Sequence, residues 1–92
     1  MIDVVVRWLP ELESAVHAAG LPWAVAHICD TQQGYALEWW RGKRGLYVRF
    51  EAGEVEAIRV WGVNINTEMA SRRVQSPTDL LEEWRWLQGE SA

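Results

Sequence analysis

The sequence is poor in cysteine and has no long apolar run. These two features argue against a disulfide-stabilised secreted domain and against a membrane-spanning helix. Cys29 is the only cysteine, so an internal disulfide of the kind that stabilises small secreted domains is excluded. No apolar run approaches the roughly 20 residues that a membrane-spanning helix needs. The first residues, MIDVVVRWLPELE, lack the basic segment and small-residue cleavage site of a secretory signal. We therefore predict a cytoplasmic location.

Basic residues are also scarce. Lysine and arginine total 9 against 13 aspartates and glutamates, which gives a formal net charge of −4 and a pI near 5.1. This balance disfavours the diffuse phosphate contacts that drive most nucleic-acid binding. A protein partner with a basic surface fits the charge better than a nucleic acid does.

Apolar and aromatic residues, by contrast, are abundant. Of the 92 residues, 49% are hydrophobic and seven are tryptophan. This composition favours a folded globule over disorder, and a chain of this length supports one core. We predict a single α+β domain spanning residues 1–92.

Helical spacing marks both ends of the chain. The segment from Pro10 to Gly20 has a proline in its first turn, acidic residues near its start and a glycine stop. Residues 2–9 continue the apolar spacing, but their run of three valines also suits a strand. A longer helix kinked near Pro10 is favoured, and the strand alternative stays open. SPTDLLEEWRWLQG predicts a second helix, capped by Ser76 and ended by Gly89.

Between the helices the pattern alternates and turn signals recur about every ten residues, as in a meander of short antiparallel strands. Glycines at 34, 42, 45 and 53 are predicted to supply the positive φ of tight hairpins. Residues 62–75 have no sustained period and are predicted to form a loop that could hold a short edge strand. The four predicted strands are Trp23–Asp30, Tyr35–Arg41, Leu46–Glu51 and Val55–Val63. The predicted fold is a four-stranded antiparallel β-meander with the N-terminal and C-terminal helices packed on one face, in the order α-β-β-β-β-α.

The stretch GYALEWWRGKRGLYVRFEAGEVEAIRVWG resembles small, mostly uncharacterised bacterial and phage proteins. Their shared pattern is an L-E-W-x-x-G-x-R-x-L-x-V-x-F β-hairpin, followed by a glycine turn and a third strand, often with a leucine-rich helix at the end. The resemblance covers roughly residues 34–87 and consists mainly of strand alternation and turn glycines. It implies a fold and transfers no catalytic residue.

Alternation along the strands divides the predicted sheet into two faces. Leu37, Val48 and Ile58 would form an aliphatic face beneath the helices, and a phase slip after Val55 suggests a bulge in the fourth strand. The opposite face would be fringed by glutamates at 38, 51 and 56 and would display aromatic and arginine side chains, which are frequent interface hot spots. The candidate partner-binding residues on it are Trp40, Tyr47, Arg49, Arg59 and Trp61.

This second face has two interpretations, because cross-strand aromatic and charged pairs also stabilise sheets that bind nothing. The leading hypothesis is a small, non-enzymatic protein-binding protein that acts as an inhibitor, immunity or adaptor factor, of which a phage anti-CRISPR protein would be one instance. One alternative is a nucleic-acid-binding regulator that uses the basic turn residues Arg41, Lys43 and Arg44. Another is a structural homodimer built through the same face.

The sequence offers few residues that could carry out catalysis or bind a metal ion. His27 and Cys29 would lie on one strand and give two ligands at best, while His17 lies on a helix. No group is evident that would orient His27 as a base for a Cys29 nucleophile. We therefore predict no metal, no cofactor and no enzymatic activity.

Overall fold

The computed structural model describes residues 2–51, 53–64 and 66–89, with the side chains of residues 2–4 excepted. It has an α+β fold in which one antiparallel sheet is combined with two helices. The strands are hydrogen-bonded in chain order, so the sheet is a simple meander. The elements are α1 (Ile2–Ala18), β1 (His27–Asp30), β2 (Gly34–Arg41), β3 (Arg44–Glu51), β4 (Glu54–Val60), β5 (Met69–Arg73), a 3-10 turn (Pro77–Leu80) and α2 (Leu81–Leu87).

Within the described part of the chain, the sheet has five strands rather than the predicted four. β5 lies within the segment predicted as a loop that could hold a short edge strand, and it pairs with β4 at the edge of the sheet from Glu56↔Arg73 to Val60↔Met69. Its sequence, MASRR, contains no β-branched or aromatic residue, so strand propensity gave little signal. Ion pairs from its arginines to Glu54 and Glu83 stabilise this strand at the edge of the sheet.

The first strand begins at His27, four residues later than predicted. The backbone just before β1 makes hydrogen bonds to side chains instead of to a neighbouring strand. The carbonyl of Pro22 accepts a hydrogen bond from the indole of Trp84 at 3.0 Å. The carbonyl of Ala24 accepts one from Trp39, also at 3.0 Å. These two bonds hold the segment against the core and satisfy carbonyls that a sheet would otherwise use.

Residues 2–9 are helical, so α1 is one continuous helix that contains Pro10. The side of α1 that faces the core carries the buried residues Val5, Leu12 and Val16. The C-terminal elements follow the sequence prediction closely: Ser76 accepts a hydrogen bond from the Asp79 amide and so caps the first turn. No described helix is long and apolar enough to cross a bilayer.

One hydrophobic core lies between the helices and one face of the sheet. Both helices contribute to it, in agreement with the predicted two-layer arrangement. Trp8 meets Phe50 edge to face, with ring centroids 5.5 Å apart. The buried core residues include Val5, Leu12, Val16, Leu37, Trp39, Leu46, Val48, Phe50, Ala57, Leu80, Trp84 and Leu87.

The phase of the fourth strand was predicted wrongly. β4 pairs with β3 without interruption, from Gly45↔Val60 to Glu51↔Glu54, so there is no bulge after Val55. Ala57 pairs with Val48 and lies on the helix side, whereas Ile58 pairs with Tyr47 on the other face. The aliphatic pattern favoured the larger side chain as the core residue, but the small Ala57 takes that position.

Candidate binding face

The sheet face opposite the helices, called the open face below, collects polar and aromatic side chains from all five strands. Its members follow from strand register, since residues paired across strands share a face. Of the five predicted anchors, Trp40, Tyr47 and Arg49 lie on it. The side chains of the open face are those of His27, Cys29, Ala36, Glu38, Trp40, Tyr47, Arg49, Glu51, Glu54, Glu56, Ile58, Val60, Met69, Ser71 and Arg73.

Trp40 is the largest exposed side chain of the open face, with 52% of its surface accessible. Its indole lies across Gly45 on the neighbouring strand, where a Cβ atom would come within 2.8 Å of the ring. It also meets Tyr47 edge to face, with centroids 6.0 Å apart. Glycine at 45 is therefore needed for close approach and not for positive φ, which the hairpin turn places at Gly42 instead.

Glu38 is held between these two aromatic residues. Trp40 Nε1 donates to Glu38 Oε2 at 2.6 Å. Hydrogen bonds from Trp40 and Tyr47, together with the nearby His27, lower the pKa of Glu38 although burial opposes them. Burial, followed by the hydrogen bond and charge of Glu38, raises the pKa of Tyr47. At neutral pH this part of the face therefore has an oriented carboxylate beside a neutral phenol.

The other half of the open face is charged. Arg49 pairs with Glu56 and, at 3.5 Å, with Glu51. Arg73 pairs with Glu54 at 3.2 Å. These five residues, with Gln33, line a depression of about 210 Å³. Arginine and carboxylate side chains here satisfy one another while leaving an excess of negative charge.

The prediction that Arg59 lies on the open face is wrong. Arg59 faces the helices, where its guanidinium donates to Glu83 and lies 5.2 Å from the centroid of the Trp86 ring. Arg72 donates to the other oxygen of Glu83 at 2.7 Å. Glu83 is only 2% exposed. Burial acts to raise the pKa of Glu83, but the hydrogen bonds and charges of Arg59 and Arg72 outweigh it, so the pKa is lowered.

Trp61 also departs from the predicted face. It follows the end of β4 and meets Trp86 of α2 edge to face, with centroids 6.1 Å apart. It keeps 36% of its surface accessible. With Trp40, Lys43 and Val63 it lines a shallow depression of about 470 Å³. Trp61 thus contributes to the rim of the open face and not to its centre.

Two of the three basic turn residues are directed to α2. Arg41 donates to the side chain of Gln88 at 2.7 Å. Arg44 donates to the carbonyl of Trp86 and lies 5.0 Å from the centroid of its ring. Lys43 lies at the tip of the turn. These contacts give Arg41 and Arg44 a role in attaching the hairpin to the helix.

One group of potential metal ligands was not predicted from the sequence. His27 and Cys29 project from β1 onto the open face, and Glu38 is the cross-strand partner of His27. The donor atoms of the three side chains lie within 4.8 Å of one another. The spacing within one strand indicates only two of the ligands, because the third depends on the register between β1 and β2.

Comparisons with protein-family models, with curated proteins and with solved structures gave no match to this chain. The resemblance to small bacterial and phage proteins stays a prediction. Inference about function therefore depends on the geometry of the open face.

Proposed function

We propose that this chain is a non-enzymatic protein-binding protein that acts as an inhibitor, immunity or adaptor factor and docks through its open face. Trp40 and Tyr47 are the aromatic anchors, Arg49 is a polar contact and Trp61 extends the surface at the rim. Arg59 is withdrawn from the anchor set because it lies on the opposite, helix-covered face, where it binds Glu83. The observation that supports the proposal most strongly is the half-exposed indole of Trp40.

The anchors are arranged as a binding surface requires. Trp40 is fixed by its contact with Gly45, its ring contact with Tyr47 and its hydrogen bond to Glu38. A side chain that is already ordered loses little conformational entropy when a partner covers it. Large, rigid aromatic side chains with a polar group are also the residues that carry most binding energy at protein interfaces.

The charge of the open face supports a partner with a basic surface. Four glutamates, at 38, 51, 54 and 56, share the face with two arginines, at 49 and 73. The whole chain carries a formal net charge of −4. A partner with a basic patch around an apolar centre would complement this surface, and the attraction would speed its association.

Replacing Trp40 or Tyr47 by alanine is expected to weaken partner binding by about 2 kcal/mol or more, which is roughly thirtyfold in Kd. The partner is first isolated by affinity capture from lysate of the native host, and its Kd for wild type and variants is then measured by calorimetry. Val6→Ala is the matched control, since Val6 is an exposed apolar residue on α1. Circular dichroism of each variant verifies the fold.

Three results would contradict the proposal. The first is a partner that binds wild type and both aromatic variants equally, and the second is failure of the wild type to retain any protein. The third is a sedimentation profile of a stable dimer that Trp40→Ala converts to monomer, because the open face would then be occupied by a second copy. A captured nucleic acid, released by salt and by loss of Lys43, would instead support the nucleic-acid alternative.

A further inference from the structure

The open face carries a second feature, which shares only Glu38 with the proposed partner-binding surface. An imidazole, a thiol and a carboxylate converge at its β1 side, from His27, Cys29 and Glu38. His27 and Cys29 are two residues apart on one strand and so project to the same side. Glu38 is paired with His27 on the adjacent strand, which places the carboxylate beside both.

The spacing of the donor atoms is close to that of a metal site. Cys29 Sγ lies 4.0 Å from Glu38 Oε1, and all three donors lie within 4.8 Å of one another. Ligand bonds of about 2.0–2.3 Å at tetrahedral angles put the donors of a zinc ion roughly 3.3–3.6 Å apart. Small rotations of three accessible or half-buried side chains would close this gap.

The carboxylate is already oriented for such a role. Its Oε2 accepts the hydrogen bond from Trp40 Nε1, which leaves Oε1 on the side of Cys29. Hydrogen bonds to the non-coordinating atom of a ligand orient it towards the metal and raise affinity. Trp40 would thus be a positioning residue for the ion.

We propose that His27, Cys29 and Glu38 form a zinc-binding site on the open face. A thiolate combined with an imidazole selects zinc over magnesium or calcium, which prefer oxygen ligands alone. Three protein ligands leave a fourth position for water or an external ligand, as in zinc sites that are not purely structural. The inference does not depend on partner binding, because metal binding is measured on the isolated protein.

The test uses the full chain, reduced and freed of metal with a chelator, and titrated with Co²⁺ and then with Zn²⁺. Cys29 is the only cysteine, so a thiolate-to-cobalt charge-transfer band reports on this site alone. The wild type is expected to develop that band at one cobalt per chain and to lose it when zinc displaces the cobalt. Cys29→Ser is expected to abolish the band.

Glu38→Gln and His27→Ala are the decisive variants, because both keep the thiol. Each is expected to weaken zinc binding more than tenfold, and Trp40→Phe, which keeps an aromatic ring but removes the indole N–H, about tenfold. His17→Ala is the matched control, since His17 is an exposed histidine on α1 paired with Glu13, and it should bind zinc as the wild type does. Circular dichroism verifies that each variant is folded.

Three outcomes would overturn the site. In the first, the wild type shows no charge-transfer band. In the second, Glu38→Gln binds zinc as tightly as the wild type, which would reduce the site to an ordinary two-residue chelate. In the third, one metal binds two chains, which would mean that a single chain does not supply the ligand set.

Discussion

Replacing Glu83 by alanine is expected to lower the free energy of unfolding by about 3 kcal/mol, because the change leaves Arg59 without its counter-ion, while Arg72 keeps its ion pair with Asp79. Arg59 comes from β4 and Arg72 from β5, and each donates to a different oxygen of the same carboxylate. The side chain of Arg59 is 20% exposed, so water compensates it only in part. Chemical denaturation followed by tryptophan fluorescence measures the loss.

Glu82→Ala provides the matched control. Glu82 immediately precedes Glu83 in the chain. Its carboxylate lies 3.7 Å from Arg72, and 71% of its side chain is exposed. Its removal is expected to change the unfolding free energy by less than about 0.5 kcal/mol. Equal losses of unfolding free energy in the two variants would contradict the prediction that burial makes the Glu83 ion pairs more stabilising than the exposed pair of Glu82.

The same carboxylate is expected to make stability depend on pH. The pKa of Glu83 is lowered in the folded protein, so in acid the unfolded chain takes up a proton before the folded one does. The stabilisation is present above the ordinary glutamate pKa, about 4.3, and is lost as the pH falls below it through the folded value. The difference in unfolding free energy between wild type and Glu83→Gln should therefore shrink as the solution is acidified; a constant difference would contradict this account.

The second large effect is expected from Trp84→Ala, which should cost about 3–5 kcal/mol. Trp84 is fully buried, stacks on Trp23 at 5.1 Å between centroids and meets Trp39 edge to face at 5.2 Å. Its indole N–H also holds the carbonyl of Pro22. The substitution thus removes a ring from the centre of the core and releases the segment that leads into β1.

Two further variants separate these contributions. Trp84→Phe keeps an aromatic ring but removes the donor to Pro22, and a loss of about 1–3 kcal/mol is expected from the smaller ring together with the lost part-buried hydrogen bond. Trp40→Ala, on the exposed face, should cost less than about 1 kcal/mol. Far-ultraviolet circular dichroism during denaturation gives all three values, and a smaller loss in Trp84→Ala than in Trp40→Ala would refute the assignment of the core.

Local sequence signals predicted the β2–β3 hairpin well. Alternation in both strands and the glycine turn between them act over a few residues, so the predicted bounds differ from the observed ones by at most two positions. The C-terminal cap was equally accessible, because Ser76 and Pro77 are adjacent to the apolar stripe they precede. The placement of Trp40, Tyr47 and Arg49 on one face followed directly.

Features that depend on distant partners were not predictable in this way. Arg59 lies on the helix side because the register of β4 pairs it with the buried Leu46, and its partner there, Glu83, lies 24 residues further along the chain. β5 depends on pairing with β4 and on ion pairs, while its own residues have weak strand propensity. The ligand group was missed for the same reason, since Glu38 meets His27 only through the register of two strands.

The contact between Trp40 and Gly45 links an exposed position to a buried one. Any side chain at 45 would need the space that the indole fills, so a natural variant with alanine at 45 would have to turn the ring away or replace it. Homologous sequences should therefore change these two positions together, with tryptophan at 40 accompanied by glycine at 45. Substitution of the exposed residue at position 40 is thereby coupled to substitution of the buried residue at position 45.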